Sequence, residues 1–255
     1  LLLGRRSGAL RAPLCAAAAA AEEGRRPEPI ALAEALAKVK EAARATFDET
    51  VEVALNLGID PKRTDQTVRG AVALPHGTGK AVKVAVFARG EAAAQARAAG
   101  ADVVGAEELV AAIKSGERAL DFDKVVATPE MMREVAAIAR VLGPKGLMPN
   151  PKLGTVAEDV AAALGEIKRG RVEFRNERGA IVHAGVGKVS FETEQLSENV
   201  AALVAKVLEM KPPKGAKGAS SRGGFLLRAH VKSTMGPSFP VAVGSLTEAA
   251  AALQG

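Results

Sequence analysis

The spacing of apolar residues predicts a helix and then a strand near the start of the chain. Residues 30–44 carry apolar side chains at helical spacing, and polar residues occupy the remaining positions. The apolar face holds Leu32, Leu36 and Val39. From residue 51 to residue 57 every second position is Val or Leu, until a glycine and a proline end the pattern. This stretch is predicted to be a strand with one buried face.

The middle of the chain has a different pattern, in which short apolar runs replace strict alternation. The runs are VKVAVFA at 82–88, ADVVG at 101–105 and KVVAT at 124–128, and helical segments separate them. Strands that alternate with helices indicate parallel β-α-β packing. We therefore expect a parallel sheet in this region.

Two positions in the middle region have the composition of a helix N-terminus. Thr128 supplies a capping hydroxyl and is followed by a proline and a glutamate, which suit the first helical turn. Thr155 and Glu158 lie three residues apart and form a candidate capping box. The helix that this box opens is predicted to end near Lys168, before Gly170.

Alternation returns after residue 170 and predicts further strands. They are RVEFRN at 171–176, AIVHAGVGKVSF at 180–191 and a last strand, FLLRAHVKS, at 225–233. A helix predicted over residues 194–210 precedes the last strand and ends at two prolines. In the last strand one face is expected to carry Phe225, Leu227, Ala229 and Val231, and the other Arg228, His230 and Lys232.

These elements together predict a protein of mixed α/β and α+β class with two domains. Alternating strands lie on both sides of the β-α-β region, so the first domain is expected to be discontinuous, at 30–77 and 168–255. The second domain is inserted at 78–167. Glycines mark both crossings between the domains, at 77–79 and 165–170, and domains joined in this way usually hinge there. We expect the inserted domain to swing about these joints.

Length and composition fit a soluble two-domain protein in a reducing compartment. The chain has 255 residues, 48% of them apolar, which is enough for two cores without disulfides. Its single cysteine, Cys15, has no partner within the chain. No apolar run reaches the roughly 18 residues needed to cross a bilayer, so no membrane partner is expected.

The first 29 residues have the composition of an organelle transit peptide. Arg5, Arg6 and Arg11 precede the first acid, Glu22, and an alanine tract follows them. A disordered extension without a targeting function is the alternative. The segment at 1–29 is therefore predicted to be a transit peptide or a disordered extension.

Positive charge is concentrated in one part of the chain. The net charge is +6, and residues 168–240 carry 13 basic and 6 acidic side chains. Such a concentration is typical of a surface that binds a polyanion, although a solvated face gives the same count. Aromatic residues make up only 3% of the chain, so a stacking platform for single strands is not expected. Structured RNA, contacted through phosphates and 2′-hydroxyls, fits better.

The sequence contains no convincing motif for catalysis, nucleotide binding or metal binding. Gly77–Lys80 and Gly185–Lys188 resemble phosphate-binding loops, but each lacks the earlier glycine and the hydroxyl after the lysine. His76, His183 and His230 are far apart, and no second cysteine joins them in a metal site. No GxSxG elbow is present. We expect no cofactor, no metal and no enzymatic activity.

One segment, VLGPKGLMPNPKLGTV at 141–156, combines three prolines with three glycines. Prolines restrict φ and remove amide donors, while glycines permit sharp reversals, so a stiff loop is predicted. The segment has two lysines and no acid. Contact with RNA and capping of the second domain both fit these residues.

The same segment closely resembles the signature of the bacterial-type ribosomal protein L1 family. Other segments resemble the family in the same order, over about residues 30–240: FDETVEVALNLGIDP, DQTVRGAVALPHGTGK, VAVFARG, AGADVVGAEEL, DFDKVVATPEMM, VEFRNERGAIVHAGVGKVSF, KPPKGAKG and STMGPS. The stretch ASSRGG at 219–224 departs from the family pattern by a few added residues. IVHAGVGK is similar to alphaproteobacterial members, which favours a mitochondrial protein over a chloroplast one.

The resemblance implies a fold, a function and partners. It implies a discontinuous split β-α-β, ferredoxin-like domain that binds rRNA, with an inserted Rossmann-like domain of three layers. It also implies a structural constituent of the large ribosomal subunit, present as a monomer on the mobile L1 stalk among other large-subunit components. There the protein lies beside the exit-site tRNA and assists movement and release of deacylated tRNA.

The resemblance and the charge pattern together nominate the RNA-binding residues. The family's RNA-contact positions fall on Phe47, Glu52, Thr234, Met235 and Gly236. Charge and strand alternation add Arg171, Arg175, His183, Lys188, Lys217, Arg228 and Lys232. Two hypotheses compete with a ribosomal protein: an enzyme with a nucleotide site in the inserted domain, and a non-ribosomal RNA-binding factor that reuses the fold.

Overall fold

A computed structural model of the chain describes residues 28–63, 66–116, 120–211 and 224–253. Three of the predictions lie outside the described residues. They are the targeting segment up to residue 27, the nucleic-acid contact at Lys217, and the added residues before Gly224.

The described residues form eight helices, nine strands and one 3-10 turn. In chain order they are α1 (Leu32–Ala42), β1 (Thr50–Leu57), β2 (Arg69–Ala73), β3 (Val84–Phe87), α2 (Gly90–Ala98), β4 (Val103–Gly105), α3 (Glu107–Ser115), β5 (Lys124–Ala127), α4 (Met132–Ala136), α5 (Ala139–Leu142), a 3-10 turn (Pro151–Leu153), α6 (Val160–Lys168), β6 (Arg171–Arg175), β7 (Ile181–Lys188), α7 (Thr193–Glu209), β8 (Leu226–Ser233), β9 (Ser238–Val241) and α8 (Val243–Ala252). The predicted mixed α/β class is confirmed.

Four strands form an antiparallel sheet in the order β7-β1-β8-β9. The alternation predicted for β1 is confirmed, since Val51, Val53, Leu55 and Leu57 are all buried. Their side chains pack in one apolar cluster with α1, α7 and α8, so these helices cover one face of the sheet. The side chains of opposite parity lie on the other face.

Strands β2 and β6 pair as a two-stranded antiparallel ribbon, which packs against the same apolar cluster as this sheet. Arg69 lies opposite Arg175, and Ala73 lies opposite Arg171. Val72 and Phe174 are buried in the same cluster as the four-stranded sheet. The ribbon was predicted only in part, because β2 is short and its RGAVA sequence has weak strand propensity.

Three parallel strands form a second sheet in the order β4-β3-β5, as predicted for the middle region. All four residues of β3 are buried, since helices pack on both faces. One face contacts α3, α4 and α5 through residues such as Phe87, Met131 and Leu142. The other contacts α2 and α6 through Val86 and Leu164.

The buried apolar residues of the described chain fall into separate clusters. One cluster draws on residues 32–74 and 174–250, and two others draw only on residues 84–167. The parallel sheet therefore has a core separate from the one that the four-stranded sheet and the ribbon share. The separation follows the change in hydrophobic pattern along the sequence.

The chain passes between these cores twice, and the two crossings touch at Gly77 and Gly170. Leu74 N donates to Gly170 O at 3.4 Å. Both glycines have positive φ, +69° and +101°. Gly165, which was expected to belong to a joint, instead lies inside α6. In the second expected joint, at 165–170, only Gly170 has a positive φ.

Asn199 in α7 fastens the first crossing. Its side chain is fully buried, its Nδ2 donates to Gly77 O at 3.0 Å and Val186 O at 2.7 Å, and its Oδ1 accepts from His76 N at 3.2 Å. His76 also pairs with Glu198 on the same helix, at 2.6 Å between Nε2 and Oε2. The segment of the first crossing is therefore fixed to α7 up to Gly77.

Both predicted helix starts in the middle region are wrong. Thr128 forms a turn in which its carbonyl accepts from Met131 N at 3.1 Å, and α4 begins only at Met132. The hydroxyl of Thr155 bonds to the backbone of Asn150 and is not available as a cap. Asp159 caps α6 instead, accepting from Ala162 N at 3.1 Å. The end of this helix at Lys168 is confirmed.

The predicted orientation of β8 is wrong at one residue. Phe225, Ala229 and Val231 are buried as expected, but Leu227 is 38% exposed. The register shifts so that Leu57 lies opposite Leu226, which makes Leu227 the extra residue of a β-bulge. The strand β8 is also not the last, because β9 and α8 follow it.

Candidate nucleic-acid interface

A concavity opens where β1 begins and β8 ends. It has a volume of about 690 Å³. Its walls are the segment that leads from α1 to β1 and the turn after β8, with Ala42, Arg44, Ala45, Thr46, Phe47, Glu49, Met235, Gly236 and Pro237 lining it. Three of the nominated residues, Phe47, Met235 and Gly236, therefore meet in one place although 189 positions separate Phe47 from Gly236.

Hydrogen bonds to the start of β1 hold the turn at 233–236. The hydroxyl of Thr234 accepts from Thr50 N at 3.0 Å and donates to Thr50 O at 3.3 Å. Gly236 N donates to the hydroxyl of Ser233 at 3.1 Å. A Cβ at Gly236 would lie 2.3 Å from that hydroxyl oxygen, so the turn requires glycine at this position. Thr234 thus belongs to the concavity as a support of its wall.

Large apolar side chains are exposed at the rim of the concavity. Met235 is 74% exposed and Phe47 is 54% exposed, the two highest values among the large apolar residues that the structure describes. Exposing this much apolar surface is unfavourable in water and commonly marks a binding site. The rim therefore has the composition of a contact surface.

Glu52, the fifth position implied by the resemblance, lies beside the concavity on the open sheet face. Its Oε2 is 3.1 Å from the Nζ of Lys232, another nominated residue. The two residues are cross-strand partners of β1 and β8, and both side chains are about two-fifths exposed, at 40% and 43%. Glu52 therefore orients Lys232 at the edge of the site.

Two further nominated residues, His183 and Arg228, lie on the same open face. His183 of β7 and His230 of β8, which was not nominated, flank Ala54 of β1 on opposite sides. Arg228 lies opposite Asn56 and is exposed. The sheet order thus brings residues from three distant segments onto one polar surface.

A second concavity, of about 680 Å³, lies at the hairpin between β6 and β7. Arg175 and His183 line it, together with Pro61, Thr67, Asn176, Glu177, Arg178 and Gly179. Arg178 was not nominated from the sequence. Its position at the end of the run RNER, three residues after Arg175, is a signal that could have identified it.

A comparison with models of protein families identifies the family of this chain. A model of the ribosomal protein L1p/L10e family matches residues 39–237, which is most of the chain. The chain belongs to this family. Members of the L1 family are ribosomal proteins that bind rRNA in the large subunit, and the family is generally structural and not enzymatic. Both concavities lie within the matched part of this L1-family protein.

Two nominated residues of the L1-family protein make intramolecular contacts. The guanidinium of Arg171 pairs with Glu166 and lies against Gly154, whose Cβ position is 2.5 Å from it. Lys188 donates through Nζ to Asp48 O at 3.0 Å and to the hydroxyl of Thr50 at 2.9 Å. These two cations hold neighbouring segments in place, unlike Arg228 on the open face.

A buried carboxylate, Glu49, was missed by the sequence reasoning. It is 2% exposed and lies under the turn at 233–236. Its position has the same parity as Val51 and Val53, whose side chains face the core, and this parity was the available signal. The amide of Met235 and the hydroxyl of Ser233 bond to it and hold its pKa below the ordinary value, against the raising effect of burial.

The proline-rich segment of this L1-family protein packs against the parallel sheet. Leu142 and Leu153 are buried, and Val156 forms a parallel bridge with Ala127 at the end of β5. Thr155 closes the loop through Asn150. Of the two interpretations of this segment, the packing supports a cap on the second sheet.

The described residues contain no group of three or more side chains arranged to hold a metal ion. Within the same part of the chain, no helix has both the length and the apolar character needed to span a membrane.

Proposed function

We propose that this L1-family protein binds the rRNA of the mobile L1 stalk through the concavity beside Met235 and the open sheet face. The observation that carries the proposal is the convergence of exposed Phe47 and Met235 on a turn fixed by Thr234. Apolar side chains at this rim shield hydrogen bonds between the turn and the sugar edges of structured RNA from water.

The charges on the open sheet face and at the second concavity support binding to a phosphate backbone. Arg175, Arg178 and Arg228 have no carboxylate within ion-pair distance among the described residues. Free guanidinium groups contact phosphate oxygens in bidentate geometry, and neutralised phosphates release counterions. The affinity for rRNA is therefore expected to fall as salt concentration rises.

The test is a filter-binding titration of the full chain with a stalk rRNA fragment and with an unrelated hairpin of equal length. Thr234→Val keeps the side-chain shape but removes both bonds to Thr50. We expect about tenfold weaker binding, corresponding to roughly 1.4 kcal/mol. Thr247→Val, which removes a hydroxyl bond inside the distant helix α8, is the matched control and is expected to bind like the wild type.

Equal affinity of the wild type for both RNAs would contradict the proposal. A folded Thr234→Val variant with wild-type affinity would contradict the assignment of the site.

We further propose that the protein has two domains, a ferredoxin-like one at 30–77 and 168–255 and a Rossmann-like one inserted at 78–167. Separate apolar clusters support this division. The nominated rRNA residues all lie in the first domain, which leaves the inserted domain free to lie beside exit-site tRNA. In this position the protein, as a monomer among other large-subunit components, assists the movement and release of deacylated tRNA.

We also propose that the protein acts in mitochondria, with the chloroplast as the alternative. The arginines before Glu22 and the similarity of IVHAGVGK to alphaproteobacterial sequences support this. A fluorescent protein fused to residues 1–29 is expected to enter mitochondria. Cytosolic fluorescence would contradict a targeting function, and fluorescence in plastids would favour the alternative.

A further inference from the structure

The carboxylate of Glu49 connects the two walls of the concavity. Its Oε1 accepts from Ala45 N at 3.1 Å, in the segment that carries Phe47. Its Oε2 accepts from Met235 N at 3.0 Å, in the turn after β8. One side chain therefore sets the distance between the segments that present the two exposed apolar residues.

A third bond extends this arrangement to Gly236. The hydroxyl of Ser233 accepts from Gly236 N at 3.1 Å, and the same hydroxyl helps to hold the pKa of Glu49 below its ordinary value. Ser233 is 1% exposed and Glu49 is 2% exposed, so the side-chain acceptors of these part-buried bonds are shielded from water. Hydrogen bonds in such surroundings are strong and directional, and they orient the peptide groups that they join.

We propose that Glu49 is a positioning residue for RNA binding, which fixes the Met235–Gly236 peptide and the Phe47 segment without contacting RNA itself. The inference rests on the proposed binding of rRNA at this concavity. Glu49 is one of the lining residues, but at 2% exposure it offers almost no surface to a bound molecule. Its effect on RNA must pass through the turn that it holds.

The direction in which Glu49→Gln changes the affinity for RNA distinguishes a positioning role from a purely electrostatic one. A negative charge near a polyanion site weakens binding, so removing that charge should strengthen it. Each oxygen of Glu49 accepts from a backbone amide, Ala45 N or Met235 N, and in Glu49→Gln the new NH₂ group must face one of these donors. That part-buried amide then loses its acceptor, and the segment that carries it moves. Positioning therefore predicts weaker binding where charge alone predicts stronger binding.

The experiment compares Glu49→Gln with Glu41→Gln in the full chain. Glu41 is exposed on α1, so its variant makes the same change in charge and size outside the site. We expect Glu49→Gln to bind the stalk rRNA fragment about tenfold more weakly and Glu41→Gln to bind as tightly as the wild type or slightly tighter. The slope of log K against log salt is expected to be the same for all three, because no phosphate contact is lost.

A second readout detects the turn directly. Hydrogen exchange of the Met235 amide is expected to be faster in Glu49→Gln than in the wild type, while exchange in the core of β1 stays unchanged. If Glu49→Gln does not fold, Ser233→Ala tests the same chain of bonds and is also expected to weaken binding, by a smaller factor. Thermal unfolding identifies which variants are folded.

The outcomes distinguish this inference from the proposed function. If the wild type selects stalk rRNA but folded Glu49→Gln binds it like Glu41→Gln, the positioning role is overturned and the proposed function stands. Unchanged binding by Ser233→Ala, where it is the variant tested, overturns it equally. If the wild type does not select stalk rRNA, the proposed function itself fails.

Discussion

Gly170 shows how one residue determines the path between the two cores. Its φ is +101°, and a Cβ at this position would lie 2.4 Å from Gly77 Cα and 2.9 Å from Thr78 N. Both contacts are with backbone atoms, which cannot rotate away as a flexible side chain does. The sequence indicates a helix stop at this glycine, and the structure adds the close approach of a second chain segment.

We predict opposite effects of the same substitution at two glycines five positions apart. Gly170→Ala should lower the free energy of unfolding by about 2 kcal/mol or more, because both its φ and the contact with Gly77 oppose a Cβ. Gly165→Ala should raise it by about 0.5–1 kcal/mol, because Gly165 lies in α6 with open space around the Cβ position. Urea unfolding followed by circular dichroism measures both values.

The two variants control for each other, since each adds one methyl group. A stable Gly170→Ala, or a loss of stability in Gly165→Ala, would disagree with the packing described for these positions.

At the scale of elements, the sequence predicted strands and helices best where one face is buried. In β1 the period of two reappears as strictly alternating burial, and α7 was expected over 194–210 and spans Thr193–Glu209. A buried face imposes its period on the chain through the hydrophobic effect, so the pattern can be read locally. The parallel strands were found as short apolar runs without a period of two, because both of their faces are buried.

The helix starts in the middle region were wrong because local capping signals compete with other bonds. Thr155 has the sequence context of a cap, but its hydroxyl closes the proline-rich loop through Asn150. Asp159 is equally able to accept from a helix amide and lies closer to the first buried residue, Val160. Which side chain caps the helix depends on the residue at which the proline-rich loop ends. The local sequence does not specify that residue.

Leu227 shows the same limit for strands. Alternation assigns it to the core, but a bulge opposite Asn56 and Leu57 turns it outward and buries Leu226 instead. One extra residue in a strand inverts the parity beyond it. The elements β9 and α8 were missed for a different reason, since a short strand and an alanine-rich helix have little amphipathic contrast.

For the whole molecule, the contacts at the first crossing change from the antiparallel side to the parallel side between Gly79 and Lys80, and we predict a pivot there. A Cβ at Gly79 would touch Phe191 and Lys188, so this residue lies against the antiparallel side. Lys80 pairs with Asp123 at 3.3 Å, at the start of β5 on the parallel side. The Lys83 amide and Lys80 also hold the pKa of Asp123 below its ordinary value. The second crossing has its left-handed residue at Gly170.

One ion pair joins the two sides of the crossing and is expected to oppose movement about the predicted pivot. Lys124 of β5 and Glu173 of β6 lie 2.6 Å apart, and their side chains are only 29% and 25% exposed. We predict that Glu173→Gln widens the distribution of distances between the two sheets, because removing the charge weakens a partly shielded bond. Single-molecule energy transfer measures this, with dyes on Ser115→Cys and Glu248→Cys in a Cys15→Ser background.

The control is Glu209→Gln, which breaks an ion pair with Lys206 inside α7, where no crossing is involved. Its distance distribution is expected to match that of the parent. The prediction is wrong if Glu173→Gln and Glu209→Gln give the same distribution.

The sequence by itself determined the class of the fold, the order of most elements, the concentration of positive charge and the family. These properties are local or additive, because burial periodicity and charge can be read from neighbouring residues. Tertiary structure decided that Glu49 lies under Met235, that Gly77 touches Gly170, and that Arg171 pairs with Glu166. The first two contacts join residues far apart in the chain, 186 positions in the case of Glu49 and Met235. Only the folded backbone sets the distances on which such contacts depend.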